Sequence, residues 1–322
     1  MRRAFILLLF PILASAQSPA PEPDPLLSES RPSIRVLKTL HESELFPVMN
    51  VIADSLGVHC DYCHVKTDKW QWQSDEKKPK AVGLDMMKMV VELNASRFGG
   101  AMRVNCYTCH RGSREVPRVV PLPPIEVEQR QKKPPQWPSA EQLLERYRKA
   151  VGTPFASVLL KGSVERSENR SGTLEVLLEG ESHLRTTFTG ADGPKVQEAN
   201  ATEYPQPLAH AVMLYGVVKL PKITGPVKVI GTARIAEHET HIVSANGGAD
   251  ELYFDAQSGL LLRHVHMTET AFMPLPEQVD YDDYRTVSGA KVPFFIRTSD
   301  GAPYDTSTRR FTEIQSLPAK NP

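Results

Sequence analysis

The four cysteines of the sequence form two C-x-x-C-H motifs, and these are the residues best suited to chemistry. The first motif occupies residues 60–64 and the second occupies residues 106–110. Two thiols with two residues between them can each bond one vinyl-derived carbon of the same porphyrin. The histidine beside the second thiol is then held beneath the iron as its proximal ligand. The two motifs predict two covalently attached haems c.

The residues that carry this prediction fall into two groups. The predicted attachment thiols are those of Cys60, Cys63, Cys106 and Cys109, and the predicted proximal iron ligands are His64 and His110. One alternative is a four-cysteine zinc site, whose paired knuckles usually lie closer together than these motifs. Another is a pair of disulfides or a thioredoxin-like redox motif. Neither alternative explains why both motifs end in histidine, so haem attachment is favoured.

Composition and the N-terminus limit the class of protein. The chain has 322 residues, of which 40% are hydrophobic and 24% charged, and its formal net charge is zero. This balance suits about two globular domains and gives no basic excess for nucleic acid. Residues 1–16 combine two arginines, an apolar run and a small-residue cleavage site, as in a secretory signal peptide. The apolar run is too short to span a bilayer. We therefore expect a periplasmic protein that does not span the membrane.

A helix is predicted directly before the first motif. Ser43 is a plausible N-cap, and Gly57 is a natural C-terminal stop. Apolar residues recur between them at helical spacing, and Met49 lies on that apolar face. Chain reversal after the glycine would fold the face over the first haem and make Met49 a candidate distal ligand through its thioether sulfur. The alternative is that Met49 is an ordinary core residue.

A second helix, from about residue 80 to 97, precedes the second motif. Its apolar stripe consists of Val82, Met86, Met89, Val90 and Leu93. Met87 falls off this stripe, and Met102 is too close to Cys106 to cross the ring. The candidates for the second distal ligand are therefore Met86 and Met89. The repeated order of helix, methionine and haem motif indicates an internal duplication.

In the polar loop between the motifs, Trp70 and Trp72 either pack on a haem edge or anchor the loop.

These elements together resemble the cytochrome c subunit family of photosynthetic reaction centres. The resemblance covers about residues 35–120 and has the form of one two-haem half of the tetrahaem subunit. It is carried by Leu45, Met49 and Gly57 ahead of C-D-Y-C-H at 60–64, and by M-x-x-M at 86–89 ahead of C-Y-T-C-H-R-G at 106–112. In that family the distal ligand is usually a methionine on the helix ahead of each motif. The resemblance therefore favours Met49 for the first haem and Met86, with Met89 as its alternative, for the second.

The remainder of the chain is predicted to form a separate β domain. Seven prolines stand among charged residues between 116 and 138, which is typical of an extended linker. Ser139 and Gln142 form a capping-box start for one helix that ends near Gly152. Alternating segments then predict strands, with glycine-containing turns between them. The predicted strands are 157–164, 173–178, 227–234, 241–244, 260–268 and 291–298.

The predicted fold class is multidomain, with a mainly α dihaem c-type cytochrome domain followed by an antiparallel β half-barrel-like domain with one capping helix. The predicted boundaries are 1–16 for the signal peptide, 17–33 for a disordered leader, 34–115 for the dihaem domain, 116–138 for the linker and 139–322 for the β domain. The segments 252–255, 259–263 and 280–285, followed by Val-Pro-Phe at 292–294, resemble the lipoprotein-carrier (LolA-like) superfamily of half-barrels. That resemblance implies a concave surface for an apolar ligand or a protein partner.

Histidines in this half do not form a recognised metal motif. His238 and His241, and the pair His264 and His266, lie on strand-like sequence without an H-E-x-x-H pattern. We expect solvated strand faces at these positions rather than a metal site.

The favoured function is one-electron transfer between unidentified redox partner proteins, with the chain acting as a carrier rather than an enzyme. One alternative is a dihaem peroxidase-like enzyme with an open haem site. The other is a haem-based redox sensor or carrier whose β domain binds an apolar ligand or a partner.

Overall fold

The structure, a computed structural model, describes residues 24–116, 137–153, 155–166, 170–180, 183–200, 220–299 and 306–318. The predicted signal peptide and nearly all of the predicted linker lie outside these residues. Strands account for 44% of the structure and helices for 26%. The predicted fold class with a leading mainly α domain is therefore wrong, because a large antiparallel sheet dominates a mainly β structure. The sheet contains strands that the sequence prediction omitted, whereas several of the helices are only about one turn long.

The segment before the predicted linker contains short and medium helices and one small hairpin. They are α1 (Leu27–Ser30), a 3-10 helix (Glu42–Glu44), α2 (Leu45–Leu56), α3 (Cys60–Cys63), β1 (Val65–Lys66), β2 (Trp70–Gln71), α4 (Lys78–Phe98) and α5 (Cys106–His110). α2 and α4 end at Gly57 and Gly99, whose φ values of 64° and 61° are left-handed. Glycine adopts this conformation without the steric cost that other residues incur. Both predicted helices are therefore present, with ends close to those expected. The predicted N-cap Ser43 is wrong, because Ser43 lies in the 3-10 helix and Glu44 is the N-cap of α2.

Residues 24–33 belong to the segment 17–33 that was assigned to a disordered leader, and they are packed in the structure. Leu27 is fully buried, and its backbone N–H donates to the carbonyl oxygen of Leu40 at 2.8 Å. Leu26 also forms a β-bridge with His41. The segment from Asp24 onward is thus part of the N-terminal apolar core, because its leucines are covered by the chain that precedes α2.

After the predicted linker, α6 (Ala140–Val151) leads into an eleven-stranded sheet in which every neighbouring pair is antiparallel. The strands are β3 (Ser157–Arg166), β4 (Arg170–Glu179), β5 (His183–Gly190), β6 (Gly193–Asn200), β7 (Lys228–Ile235), β8 (His238–Ala245), β9 (Asp250–Asp255), β10 (Leu261–Thr268), β11 (Leu275–Val287), β12 (Ala290–Ser299) and β13 (Thr306–Leu317). Their order is β6-β5-β4-β3-β13-β12-β11-β10-β9-β8-β7.

The sheet is a meander with one long-range pairing, between its first strand β3 and its last strand β13. In that pair Ser157 lies opposite Leu317, and Arg166 lies opposite Ser307. Gly162 permits the close approach of the two strands, because a Cβ there would clash with the carbonyl oxygen of Arg310. This pairing joins the strands on either side into one continuous sheet.

α6 packs on the sheet through one apolar face, as its capping-box start and helical spacing predicted. Leu143, Leu144 and Tyr147 are buried on this face, and the Tyr147 ring lies 5.5 Å from that of Phe254. Burial raises the pKa of Tyr147 above its ordinary value, because an ionised phenol would lose its hydration. The helix thus contributes its apolar face to the core of the sheet.

The connection between β10 and β11 reaches the N-terminal segment. Phe272 and Met273 are 3% and 1% exposed, and they share an apolar cluster with Leu27, Val48 and Met87. The cluster joins side chains from both sides of the predicted linker, so the helical segment and the sheet are in direct apolar contact.

The prediction of solvated histidines is wrong for His264, which is 1% exposed. Its Nε2 lies 2.6 Å from a carboxylate oxygen of Asp250, itself 3% exposed. Because residues two apart on a strand share a face, the spacing placed His264 and His266 together correctly. The sequence pattern did not show that this face is covered at His264.

Candidate functional site

The first motif forms a single helical turn that presents its two thiols together. Cys60 and Cys63 are the first and last residues of α3, and both thiols are free of disulfides. The backbone N–H of His64 donates to the carbonyl oxygen of Cys60 at 2.9 Å, which closes the turn. Burial raises the pKa of the Cys63 thiol, because the thiolate would lose hydration. The turn brings the three predicted site residues into one compact group.

The imidazole of His64 is oriented by a backbone carbonyl. Its Nδ1 lies 3.3 Å from the carbonyl oxygen of Trp72, which follows β2. A carbonyl oxygen only accepts, so Nδ1 carries the proton and Nε2 keeps its lone pair. Burial lowers the pKa of His64, which favours the neutral ring that binds metals. His64 is thereby oriented to act as a ligand through Nε2.

The loop that carries this carbonyl is fixed by lysine and by aromatic stacking. Lys80 Nζ donates to the Trp72 carbonyl oxygen at 2.9 Å and to that of Ser74 at 2.9 Å. The rings of Trp70 and Trp72 are stacked with centroids 4.5 Å apart, and Trp72 meets the His64 ring edge-on at 5.2 Å. The tryptophans therefore anchor the loop behind the imidazole, the second of the two roles predicted for them.

The second motif is also a single helical turn, and it has its own cap. Asn105 Oδ1 accepts from the backbone N–H of Thr108 at 3.1 Å, and Thr108 Oγ1 accepts from that of Asn105 at 3.1 Å. His110 Nδ1 lies 3.0 Å from the carbonyl oxygen of Ser113. As at His64, this contact leaves the lone pair on Nε2. Burial raises the pKa of the Cys106 thiol in this turn.

The helix ahead of the first motif packs against the second motif. The C-terminal end of α2 contacts α5, and the backbone N–H of Gly112 donates to the carbonyl oxygen of Ser55 at 2.9 Å. A Cβ on Gly57 would clash with the Gly112 carbonyl oxygen. Conversely, the start of α4 contacts α3, where Lys77 Nζ donates to the Asp61 carbonyl oxygen. Each motif thus packs against the helix that precedes the other motif.

The candidate distal ligands occupy two different environments. Met49 on α2 is partly buried and packs against the same apolar cluster as Cys106. Met86 and Met89 on α4 are 45% and 48% exposed, and Val82 on the same face is 49% exposed. The prediction that Met87 lies off the apolar face is wrong, because Met87 is 8% exposed in the core. α4 therefore has two apolar faces, one buried and one open to solvent.

Sequence reasoning missed Asn94, which holds the chain that leads into the second motif. Asn94 is 2% exposed, and its Nδ2 donates to the Val104 carbonyl oxygen at 2.7 Å. Its Oδ1 accepts from the backbone N–H groups of Arg103 and Val104 at 2.9 and 3.0 Å. An amide on the buried face of an amphipathic helix was the signal that could have identified it.

Comparison with known proteins gives one family and several solved structures. Residues 10–151 match the sequence profile of the "Photosynthetic reaction centre cytochrome C subunit" family. A LolA superfamily protein from Nitrosomonas europaea is 10% identical, with a TM-score of 0.39, over 57% of this chain and 96% of its own. A putative outer membrane lipoprotein-sorting protein domain from Vibrio parahaemolyticus is 6% identical, with a TM-score of 0.35. The match covers 56% of this chain and 92% of that domain.

A third similar structure is a DUF1329 family protein from Desulfovibrio piger, 7% identical with a TM-score of 0.36, over 56% of this chain and 92% of its own. The match over residues 10–151 confirms the predicted resemblance to the reaction centre cytochrome family. At TM-scores below 0.5 the structural likeness supports no statement about what the sheet binds.

Within the described ranges, no helix combines the length and the apolar character that a membrane span requires. Both C-x-x-C-H motifs lie inside the matched segment. Residues 10–151 of this chain are thus similar, by this profile match, to the photosynthetic reaction centre cytochrome C subunit family. The similarity indicates a c-type cytochrome role in electron transfer.

Proposed function

We propose that the chain is a periplasmic dihaem c-type cytochrome that passes single electrons between partner proteins. The observation that carries this proposal is the matched orientation of the two motif histidines. In each, Nδ1 faces a backbone carbonyl oxygen, that of Trp72 or that of Ser113. A carbonyl oxygen that accepts from one ring nitrogen is the usual arrangement for a histidine whose other nitrogen binds metal.

The donor set of each turn fits haem c. Two free thiols on one turn supply both thioether bonds, and the following imidazole supplies an Nε2 lone pair. When bound, haem supplies the one-electron chemistry. The chain's own residues would attach the ring and orient the imidazole. Lys80 contributes by holding the carbonyl that orients His64.

The open apolar face of α4 supports the same proposal. Val82, Met86 and Met89 form a stripe on the helix that leads into the second motif, and each is at least 45% exposed. A porphyrin is a large apolar surface that would cover such a stripe and remove it from water. We retain Met49 and Met86 as the proposed distal ligands, with Met89 as the alternative to Met86. Methionine sulfur as a second iron ligand besides histidine would raise the haem potential.

Export supports the assignment to the periplasm, because c-type haem is attached after translocation in bacteria. The features that support export are the paired arginines, the apolar run and the small-residue site within residues 1–16. A chain that stays with the cell membrane or cytoplasm after fractionation would contradict this part of the proposal.

A reductive titration with azide as a probe tests the function. We expect two electrons per chain, low-spin haems in both oxidation states and no azide binding, since each iron would keep six ligands. The double variant C106A/C109A serves as a control and should accept one electron. A high-spin haem that binds azide would instead support the peroxidase-like alternative, and a chain that accepts no electrons would contradict both.

A further inference from the structure

Three metal-ligating side chains converge in the β-sheet, away from the cysteine motifs. His264 Nε2 and His266 Nδ1 lie 2.6 Å and 2.9 Å from the same carboxylate oxygen of Asp250. One ligand atom from each of the three residues lies within 4.8 Å of the other two. Among the described residues this is the one group of three such ligands. Imidazole nitrogen with carboxylate oxygen is a donor set suited to divalent transition metals.

The sheet fixes this arrangement through its register. Asp250 is the first residue of β9 and lies directly opposite His266 on β10. His264, two residues earlier on β10, projects from the same face of the strand. Ligands held on paired strands have little freedom to move, so the group is preorganised rather than assembled on binding.

The burial of the Asp250 carboxylate favours a cation bound beside it. Asp250 and His264 are 3% and 1% exposed, whereas the His266 side chain is 38% exposed. Within the described part of the chain, the ion pairs of the Asp250 carboxylate are with these two imidazoles and with no lysine or arginine. A buried carboxylate of this kind is stabilised by a cation bound beside it. The partly exposed side at His266 supplies an entry path.

A second layer of contacts orients the carboxylate. Asn246 Nδ2 donates to the other oxygen of Asp250 at 2.7 Å, and Asn246 Oδ1 accepts from the Thr224 backbone N–H at 2.8 Å. Hydrogen-bonded outer partners of this kind fix the direction of a ligating carboxylate. The oxygen that contacts both imidazoles is thereby held toward them, where a metal ion would replace the shared proton contacts.

We propose that Asp250, His264 and His266 bind one divalent transition-metal ion of the Zn²⁺ class, independently of the cysteine motifs. The carboxylate oxygen, Nε2 of His264 and Nδ1 of His266 are the three protein ligands. The fourth position faces solvent at His266, as in zinc sites with an exchangeable ligand. The competing interpretation is a hydrogen-bonded cluster that stabilises the β9–β10 pair and holds no metal.

The test uses the full-length exported protein with its natural cofactors and Zn²⁺ as the probe. The protein is stripped with a chelator, titrated with zinc, and analysed for bound zinc per iron and by zinc X-ray absorption. The variants are D250N, which keeps the side-chain shape, and H266Q, which changes a partly exposed side chain. H238Q is the matched control, because His238 pairs with Asp255 at 3.0 Å without a third ligand. Thermal unfolding shows which variants remain folded.

We expect one zinc per chain, bound by nitrogen and oxygen at about 2.0–2.1 Å. D250N and H266Q should weaken this binding at least about 100-fold, and H238Q should leave it unchanged. Folded variants that bind zinc as the natural chain does would overturn the proposal, as would a natural chain that binds none. A sulfur shell at about 2.3 Å would overturn it too, and would place zinc on the cysteines in contradiction of haem attachment.

Discussion

At the residue scale, the proposed chemistry depends on which imidazole nitrogen each motif leaves free. His64 and His110 both direct Nδ1 to a backbone carbonyl oxygen, at 3.3 and 3.0 Å. The two carbonyls come from different local structures, one after a short hairpin and one after a left-handed residue, Arg111 with φ of 52°. Both imidazoles thus have the same orientation although the carbonyl oxygens come from different local structures, as expected if both bind iron through Nε2.

The methionines of α4 provide the sharpest residue-scale prediction. If Met86 is the second distal ligand, M86A should remove about half of the near-infrared sulfur-to-iron band, because one of the two haems loses its sulfur. M89A should leave the band intact and serves as the matched control, since both side chains lie on the same open face. Near-infrared absorption of the oxidised protein measures the effect. The reverse outcome would assign Met89, and an intact band in both variants would exclude the pair.

The cysteines and histidines of the candidate site were proposed from their spacing, because that spacing is itself the chemical requirement, and each pair of cysteines lies on one helical turn. The partners of the imidazoles could not be predicted, because Trp72 and Ser113 contribute backbone oxygens that any residue type would offer. Met87 was misplaced for another reason. α4 has two apolar faces, and the periodicity alone did not show which face the core would cover.

At the element scale, the contact between α2 and the second motif predicts that residue 57 must be glycine. G57A should lower the free energy of unfolding by the strain of a left-handed alanine plus a clash with the Gly112 carbonyl oxygen. G99A is the matched control, since Gly99 caps α4 with a similar φ and a Cβ there would meet none of the described residues within 4 Å. We expect G57A to cost about 1–3 kcal/mol more than G99A in chemical denaturation. Equal costs would contradict the close packing of α2 on the second motif.

Asn94 gives a second element-scale prediction. N94A removes the side chain that bonds Arg103 and Val104, so about 3 kcal/mol of unfolding free energy should be lost, roughly 1 kcal/mol for each hydrogen bond. S96A, at an exposed position on the same helix, should change stability by less than about 0.5 kcal/mol. Denaturant titration of both variants measures the difference. A change in N94A no larger than that in S96A would show that the amide does not hold this segment.

Element ends were predicted where one residue type decides them, as at Gly57 and at the Ser139 cap of α6. Strands were predicted where apolar residues alternate clearly. The omitted strands of the large sheet are β5, β6, β9, β11 and β13, and the hairpin β1–β2 was assigned to a polar loop. In each of the five except β9, polar residues outnumber the apolar ones. Strand pairing with apolar neighbours overrides the weak local preference of such segments.

At the scale of the whole molecule, the β10–β11 connection ties the sheet to the helical segment. F272A should cost about 3–4 kcal/mol and should increase hydrogen exchange in α2, because Phe272 and Val48 share one apolar cluster. F311A is the matched control, since Phe311 is similarly buried but lies in the core of the sheet. Hydrogen exchange with mass spectrometry distinguishes the two variants. Unchanged exchange in α2 after F272A would contradict a shared core.

This contact could not be predicted from the sequence, because its two sides lie far apart along the chain. The error in fold class has another cause, because strands omitted from the prediction make the large sheet dominate the structure. The pairing of β3 with β13 joins the first and last strands of the sheet, and no local pattern indicates it. Local patterns therefore predicted the candidate site, whereas contacts between distant segments could not be predicted from them.

The most direct test of the central claim is a pyridine haemochrome count on the exported protein, combined with the intact mass of the denatured chain. Our account predicts two haems per chain, both retained on denaturation, and one in each of the double variants C60A/C63A and C106A/C109A. A colourless chain whose four cysteines are free, paired as disulfides or bound to zinc would contradict it.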